Sequence, residues 1–289
     1  MPVASPARPD IPLLKGPCTA GACITEIAML DLNSRRWESL SAAGGNSRLV
    51  PQLLARLRER PTPEDWGEVM EQIGHQGTCY SSAYAAVPHL LELAKVQSKL
   101  ADPWFYASLG SIAEPAEQTE EVPEDVRAEF EAAMAEAAAL ALDAVLKQTY
   151  GVEDFVYLLQ GAAALYHRRG PGIWLSGLIQ NNFEAYCPSC DSYLSLKVEE
   201  NRIDVIAEDE RCRPLSASTQ VVARSIPDIV WDLRKQPEDD FSWLCALCLR
   251  TEQKKVLTWI SYLYGKAHCP TCHATFALMS QIENESGME

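Results

Sequence analysis

The stretch His75-Gln-Gly-Thr-Cys-Tyr-Ser-Ser-Ala-Tyr-Ala-Ala-Val-Pro-His-Leu-Leu-Glu-Leu-Ala94 decides the fold, because it has the pattern of a loop, a cap and one long amphipathic helix. Gly77 interrupts the preceding helix, and the Thr78 hydroxyl can accept a hydrogen bond from the unpaired amides of a new one. The new helix is therefore predicted to start at about Cys79. Its apolar residues recur at helical spacing and form one stripe, made of Tyr84, Val87, Leu90, Leu91 and Ala94.

The same helical pattern occurs twice. Val50-Pro-Gln-Leu-Leu54 and Val87-Pro-His-Leu-Leu91 match at four of five positions with an offset of 37 residues, and a tryptophan, Trp37 or Trp66, precedes each copy. Such an offset is near the period of helical-pair repeats, whose units bury their apolar faces by stacking on a neighbour. A chance match in a chain rich in leucine and alanine is the alternative explanation. Pro88 removes a backbone donor and predicts a kink.

Further helices are predicted from periodicity, caps and glycine or proline boundaries. The predicted fold is mostly α: a HEAT-like helical-repeat solenoid with a small zinc-binding β element near the C-terminus. Its parts are a loose N-terminal segment (1–25), helical repeats (26–182) and a zinc-ribbon-like module with a helical insertion (183–289). The other predicted helices span residues 47–60, 63–73, 101–112, 123–150 and 154–167.

Two cysteine pairs predict a metal site. Cys187-Pro-Ser-Cys190 and Cys269-Pro-Thr-Cys272 both have the two-residue spacing of a zinc knuckle, in which a tight turn directs two thiolates to one point. A strand is predicted to follow the first knuckle, over residues 193–198. We expect the four thiolates to bind one structural Zn²⁺, although 78 residues separate the knuckles and compact ribbons have about 15–20.

A second ligand set remains open. Cys245 and Cys248 lie 20 residues before Cys269 and fit the ribbon spacing numerically. Their segment lacks turn-forming residues and is predicted to be a buried helix, in which cysteine acts as a small apolar residue. The outer pairs are therefore preferred to Cys245, Cys248, Cys269 and Cys272. A catalytic zinc needs an open position and usually a carboxylate base, and no His-Glu-x-x-His motif occurs.

Composition restricts the function. Forty acidic against 25 basic residues give a formal net charge of −15, so the long-range field repels nucleic acid and attracts basic partners. Simple solubility is the other explanation of this charge. No stretch approaches the roughly 20 apolar residues of a membrane span, and residues 1–10 lack the features of a signal peptide. We expect a cytoplasmic protein without membrane contact.

Taken whole, the chain resembles HEAT-like repeat proteins, through its two Val-Pro-x-Leu-Leu helices and the His75-Gln-Gly-Thr-x-Tyr80 junction. Within that class, the junction followed by Ala-Val-Pro-His-Leu-Leu resembles a group of bacterial proteins encoded beside polymorphic toxins. The resemblance covers roughly residues 30–110 and the C-terminal cysteine segment, where His273 stands at a position commonly held by glycine. It implies an immunity protein, not an enzyme, that binds and occludes a cognate toxin domain, which is expected to be basic and nuclease-like.

Acidic residues on helical faces and in the acidic run 114–131 are the candidate contacts with such a partner. They are Glu68, Glu71, Glu92, Glu117, Glu120 and Glu121.

Two other functions remain open. A zinc-ribbon adaptor of nucleic-acid metabolism would need a basic face near Lys254 and Lys255 or near Arg211 and Arg213. An enzyme would need an activated nucleophile, for which Cys79 beside His75 is the candidate, because a helix start lowers a thiol pKa. His75 is more simply explained as a brace for its loop, and His89 as a partly exposed helix residue.

Overall fold

A computed structural model describes residues 29–113, 117–118, 122–147, 149–166, 169–181, 183–208, 218–227 and 239–285, and the structural statements below concern these residues. They are mostly helical, with small sheets. The helices are α1 (Leu49–Glu59), α2 (Pro63–Ile73), α3 (Ser81–Val96), α4 (Pro103–Ala113), α5 (Glu124–Lys147), α6 (Val152–Leu165), α7 (Arg169–Trp174), α8 (Gly177–Gln180), α9 (Asp240–Arg250), α10 (Lys254–Leu263) and α11 (Leu278–Glu285).

The strands are short and pair mostly within hairpins. They are β1 (Ser41–Ala42), β2 (Gly45–Asn46), β3 (Gly74–His75), β4 (Thr78–Cys79), β5 (Glu117–Gln118), β6 (Phe183–Tyr186), β7 (Tyr193–Glu199), β8 (Arg202–Ala207), β9 (Thr219–Gln220), β10 (Lys266–His268) and β11 (Thr275–Ala277). The sheet orders are β1-β2, β3-β4-β5, β6-β7-β8-β9 and β10-β11. All pairs are antiparallel except β4 with β5.

The helix over residues 63–73 has the predicted bounds, and its start has a local cause. The Thr62 hydroxyl accepts a hydrogen bond from the Asp65 amide at 3.1 Å, and Pro63 occupies the first helical position. Proline costs nothing there, since the first amides of a helix have no partner within it. The Asp65 carboxylate accepts from the Thr62 hydroxyl in return, which lowers the Asp65 pKa.

The start of α3 differs from the prediction. Thr78 does not cap the helix: it lies in β4, which pairs with β3 across a tight turn in which Gln76 and Gly77 have φ values of 49° and 82°. The helix begins at Ser81 after Tyr80, whose side chain makes no capping hydrogen bond. The backbone of Thr78 therefore pairs within the β3–β4 hairpin, and its side chain is not the cap of α3 that the sequence predicted.

Helix α3 is also more buried than an amphipathic helix. All its residues are buried except Glu92, Lys95 and Val96, because it packs against α1, α2 and α5. The prediction that His89 is partly exposed is therefore wrong: His89 is 4% exposed, and its Nε2 donates to the Leu30 carbonyl oxygen at 2.9 Å. Burial lowers the His89 pKa, because the charged imidazolium loses its hydration there.

The first six helices contact each other in two successions. Helix α1 contacts α3, and α3 contacts α5. On the other side, Trp66 of α2 meets Phe105 of α4 edge to face at 5.7 Å between ring centroids, and α4 packs along α6. Glycine makes the α4–α6 crossing close: a Cβ at Gly161 would lie 2.5 Å from the Tyr106 carbonyl oxygen, and one at Gly110 would lie 3.0 Å from the Ala164 Cβ.

The insertion between the two knuckles combines strands with helices. It contains β8 and β9 as well as α9 and α10. Helix α10 packs on β8 and α6, and the Trp259 indole donates to the Glu199 carbonyl oxygen at 2.6 Å. Helix α9 contacts α5. The buried apolar residues form one cluster from Leu30 to Ile282, so the cysteine-containing part shares its core with the helices.

Candidate metal centre and partner-binding surface

Each cysteine pair lies in the six-residue turn of an antiparallel hairpin. Residues 187–192 join β6 to β7, and residues 269–274 join β10 to β11. In the first turn the Cys187 amide donates to the Ser192 carbonyl at 3.0 Å, and the Asp191 amide donates to the Cys187 carbonyl at 2.9 Å. The second turn repeats both bonds, from Cys269 to Ala274 at 2.9 Å and from His273 to Cys269 at 3.0 Å.

A left-handed residue completes each turn. Asp191 and His273 follow the second cysteine of their knuckles and have φ values of 54° and 61°. The sequence left this conformation in doubt at His273, because glycine adopts it more readily. Aspartate and histidine are among the non-glycine residues that tolerate it best. The two turns therefore have the same backbone geometry and present their sulfur atoms in the same way.

The hairpins bring four sulfur atoms together. The Sγ atoms of Cys187, Cys190, Cys269 and Cys272 all lie within 4.8 Å of one another. Across the knuckles, Cys187 Sγ is 3.6 Å from Cys272 Sγ, and Cys190 Sγ is 3.8 Å from Cys269 Sγ. Four sulfurs bound tetrahedrally to one ion at ~2.3 Å would be ~3.8 Å apart. The cluster thus has the donor set and size of a four-thiolate metal site.

The surroundings of the sulfurs differ. Burial raises the pKa of the Cys187 thiol to about 12, since the thiolate is poorly solvated there. The Ser192 hydroxyl, 3.2 Å from Cys190 Sγ, is the largest cause that lowers the Cys190 pKa to about 6. The Thr271 amide points at Cys269 Sγ at 3.4 Å. Amide and hydroxyl donors of this kind stabilise thiolates and so favour metal binding.

A short segment between the hairpins links them. Residues 219–222 pair with β8 on one side, and Val222 exchanges two backbone hydrogen bonds with Lys266 of β10, at 2.8 and 2.9 Å. The Thr219 hydroxyl donates to the His268 carbonyl oxygen next to Cys269. Sequence reasoning missed this element. The sequence signal for it is the run Thr-Gln-Val-Val, in which three of four residues are β-branched, as is typical of a strand.

The other candidate ligands lie elsewhere. Cys245 and Cys248 are buried on α9, and burial raises the Cys245 pKa to about 12. Among the described histidine, cysteine and acidic residues, the four knuckle cysteines form the one group of three or more close enough to share an ion. His268 of β10, next to Cys269, contacts the Thr275 hydroxyl through Nδ1 at 2.9 Å.

Cys79 lacks the character of a nucleophile. Its side chain is buried, and desolvation raises its pKa to about 11, so almost no thiolate forms at neutral pH. His75 lies in the paired strand β3, and its Nδ1 contacts the Glu71 carboxylate. This contact ties the loop that contains His75 to α2, as a brace would. The geometry gives Cys79 no sign of activation by its histidine neighbour.

The candidate partner contacts divide between two helices and the acidic run. Glu68 and Glu71 are exposed on α2, where Glu68 pairs with Arg56. Glu92 is exposed on α3 and lies 2.6 Å from Lys95. The backbone of Glu117 belongs to β5, and Glu120 and Glu121 lie outside the described residues. The structure therefore does not bring all six onto one helical face.

An aromatic groove lies beside the α2 glutamates. It is formed by α2 and α4, encloses 190 Å³ and is lined partly by Trp66, Met70, Trp104 and Phe105. Trp104 is 51% exposed, and its ring stacks on Tyr157 of α6 with 4.0 Å between centroids. The sequence pattern predicted a helix over residues 101–112 that carries Trp104 and Phe105. It could not show that neighbouring helices leave the tryptophan half uncovered.

Two of the four basic residues named for nucleic-acid binding lie in the described part of the chain. Lys254 and Lys255 are exposed at the start of α10, where Lys255 lies 4.8 Å from the centre of the Trp259 ring. Arg211 and Arg213 lie outside the described residues. Two lysines on one helical turn are fewer than the basic patch or stripe of a nucleic-acid-binding face.

Comparison with models of known protein families, with curated proteins and with solved structures finds no match to this chain. The resemblance to HEAT-like immunity proteins therefore stays a prediction. Among the described helices, none is both long enough and apolar enough to cross a membrane.

Proposed function

We propose that this chain is a HEAT-like solenoid closed by a structural zinc site, and that it works as an immunity protein that binds one toxin domain stoichiometrically. The succession of contacts α1 to α3 to α5, beside α2 to α4 to α6, supports the solenoid arrangement. Stacked helical units of this kind expose extended surfaces suited to protein partners.

The observation that carries the binding function is the half-exposed Trp104 in the groove between α2 and α4. Tryptophan and tyrosine are enriched among the residues that dominate protein–protein binding energy, especially where a pocket surrounds them. Trp104 is held by its stacking on Tyr157, so its ring is already ordered before a partner arrives. Exposed Glu68 and Glu71 on α2 add negative charge that favours encounter with a basic domain.

Zinc is the proposed ion because its structural sites are closed, tetrahedral and commonly made of four thiolates. Soft sulfur ligands also disfavour magnesium and calcium, which prefer oxygen. In this site Cys187, Cys190, Cys269 and Cys272 would hold the ion. Its role is to join two hairpins, since four protein ligands leave no position for a substrate.

The test is co-expression of this protein with the C-terminal domain of whatever large protein is encoded immediately upstream, with growth and co-purification as readouts. The proposal predicts that the domain alone is toxic and that this chain restores growth and co-purifies with it in a 1:1 ratio. Toxicity without rescue, or rescue without a complex, would contradict stoichiometric neutralisation of that domain.

A variant then tests the aromatic anchor in the complex. Trp104→Ala is expected to weaken binding about 30-fold, because truncation of an aromatic hot spot costs about 2 kcal/mol. Leu249→Ala is the control, since Leu249 is 47% exposed on α9 and lines neither this groove nor the groove between α3 and α5. Isothermal titration calorimetry measures both, and equal affinities for the two variants would remove Trp104 from the interface.

A further inference from the structure

A second groove lies between α3 and α5. It encloses 270 Å³ and has an apolar floor and an acidic rim. The floor has room because its residues on α5 are alanines and Pro88 on α3 is compact. The lining also includes Leu91, Glu92, Glu129, Ala132, Ala133 and Glu136.

The rim of this α3–α5 groove carries uncompensated negative charge. Lys95 bridges the two helices, with its Nζ 2.6 Å from Glu92 and 2.7 Å from Glu136. Two carboxylates thus share one ammonium group, and Glu129 is a third carboxylate that lines the groove. Arg36 is the cation that acts on Glu129, but its guanidinium is held by both oxygens of Asp125, at 2.7 and 2.9 Å. The groove therefore presents an electrostatic site for added positive charge.

Side chains at the edge of the groove already bind the backbone of an irregular segment. Burial raises the pKa of the Glu129 carboxyl, and the nearby Leu30 amide acts against this rise. The Leu30 carbonyl oxygen accepts a hydrogen bond from His89 Nε2. The Leu30 side chain is buried, whereas the neighbouring Met29 is 39% exposed over the groove. Methionine is flexible and polarizable, so it adapts to different apolar surfaces. The groove thus lies beside a backbone segment that His89 holds at Leu30, and Met29 of that segment forms an adaptable apolar part of its lining.

We propose that the α3–α5 groove binds a basic, amphipathic segment of the protein partner. An apolar side chain of that segment would lie on Leu91, Ala132 and Ala133, and a lysine or arginine would pair with Glu129 and Glu136. The inference rests on the proposed function and adds to it the chemistry of the bound segment. Nucleic acid is repelled by the same carboxylates.

The groove also lies near the Trp104 surface along the chain. Lys95 on its rim and Lys99 beside the α2–α4 groove are four residues apart, which limits their Cα separation to about 14 Å. A partner that reaches both grooves would pass the C-terminal end of α3. The acidic groove would supply orientation and the aromatic groove the anchor.

The experiment uses the full chain and a fluorescein-labelled 12-residue peptide of alternating leucine and lysine pairs, followed by fluorescence anisotropy. The double variant Glu129→Gln with Glu136→Gln is expected to bind it about tenfold more weakly. The matched control is Glu64→Gln with Glu153→Gln, two exposed glutamates on α2 and α6, which changes the net charge equally. A loss of the same size in both variants would show attraction by overall charge and overturn the proposal.

A third variant tests the apolar floor without changing charge. Ala132→Trp fills the groove from an exposed position and is expected to weaken peptide binding at least as much. Far-ultraviolet circular dichroism checks that the helices remain. Unchanged affinity, or no binding to the parent chain, would also contradict the proposal.

The co-expression assay separates this inference from the function itself. Groove variants that still neutralise and co-purify with the toxin domain would refute the groove and leave the function standing. Failure of the parent chain would count against the function.

Discussion

The α4–α6 crossing and the four-cysteine cluster both join segments that are distant in sequence, but by different means. At the crossing, Gly110 and Gly161 let two backbones approach until a single added Cβ would clash. In the cluster, sulfur atoms 85 and 79 residues apart meet at 3.6 and 3.8 Å, and two of the four cysteines are exposed. Packing holds the first contact together. The second places four sulfur atoms at the separations that one shared ion would require.

The largest expected effect breaks the cluster. Cys187→Ser with Cys269→Ser removes one ligand from each hairpin, and we expect the bound metal to fall from about one ion per chain to near zero. Stability should fall as well, because metal binding to such sites is coupled to folding. Inductively coupled plasma mass spectrometry measures the metal, and urea unfolding measures the stability.

The control for this change is Cys245→Ser, which alters a buried cysteine on α9 outside the cluster. It should keep its metal and lose only packing free energy. Metal loss in Cys245→Ser would instead support the alternative ligand set.

The next effect breaks the crossing. Gly161→Ala places a methyl group against the Tyr106 backbone, and overpacking of this kind costs about 1–3 kcal/mol. We expect the urea midpoint to fall without loss of metal. Gly67→Ala is the matched control, since a Cβ at exposed Gly67 on α2 meets nothing within 4 Å. Alanine favours a helix by about 1 kcal/mol over glycine, so this variant should be slightly more stable than the parent.

A pH effect is expected from His89. Its folded-state pKa is lowered by burial, and its unfolded value is ~6.5. Below pH ~6.5 the unfolded chain therefore takes up a proton that the folded chain does not. The free energy of unfolding must then fall as the pH drops through this window, until the folded pKa is reached. Urea unfolding at a series of pH values should show a steeper fall for the parent chain than for His89→Gln. Equal slopes would exclude His89 as the cause.

The smallest expected effect concerns a helix cap. Thr62→Ala removes the hydroxyl that accepts from the Asp65 amide and should cost about 1 kcal/mol, the usual value of an N-cap. Thr62→Ser keeps the hydroxyl and should retain most of the stability. Neither variant should change metal content. A change of metal content in Thr62→Ala would show that the stability of α2 and metal binding by the four cysteines are coupled.

Local patterns predicted the helical part well. The helix over residues 63–73 has its predicted bounds because its cap, its proline and its terminal glycine are all adjacent in sequence. The helices predicted at 47–60, 101–112, 123–150 and 154–167 occur with shifts of one to three residues at their ends. Such shifts are normal, since helix ends depend on weak terminal contacts.

Tertiary contacts explain what the patterns missed. The sequence predicts a partly exposed His89, because the helix pattern alone gives no reason to bury it. The Leu30 carbonyl oxygen, which accepts its hydrogen bond, is 59 residues away in sequence. The four cysteines were grouped correctly from their knuckle spacing. The segment 219–222 that links their hairpins was missed, because its pairing with β8 and β10 is long-range. The acidic groove involves Glu129 and Glu136, whose position against α3 no local pattern reveals.

X-ray absorption spectroscopy of the purified protein at the zinc K-edge tests the central claim most directly. One zinc ion per chain, surrounded by four sulfur scatterers at about 2.3 Å, is the predicted result. It would establish that the two hairpins are closed on a single metal. Nitrogen or oxygen scatterers in the first shell, or a protein that carries no stoichiometric zinc, would contradict it.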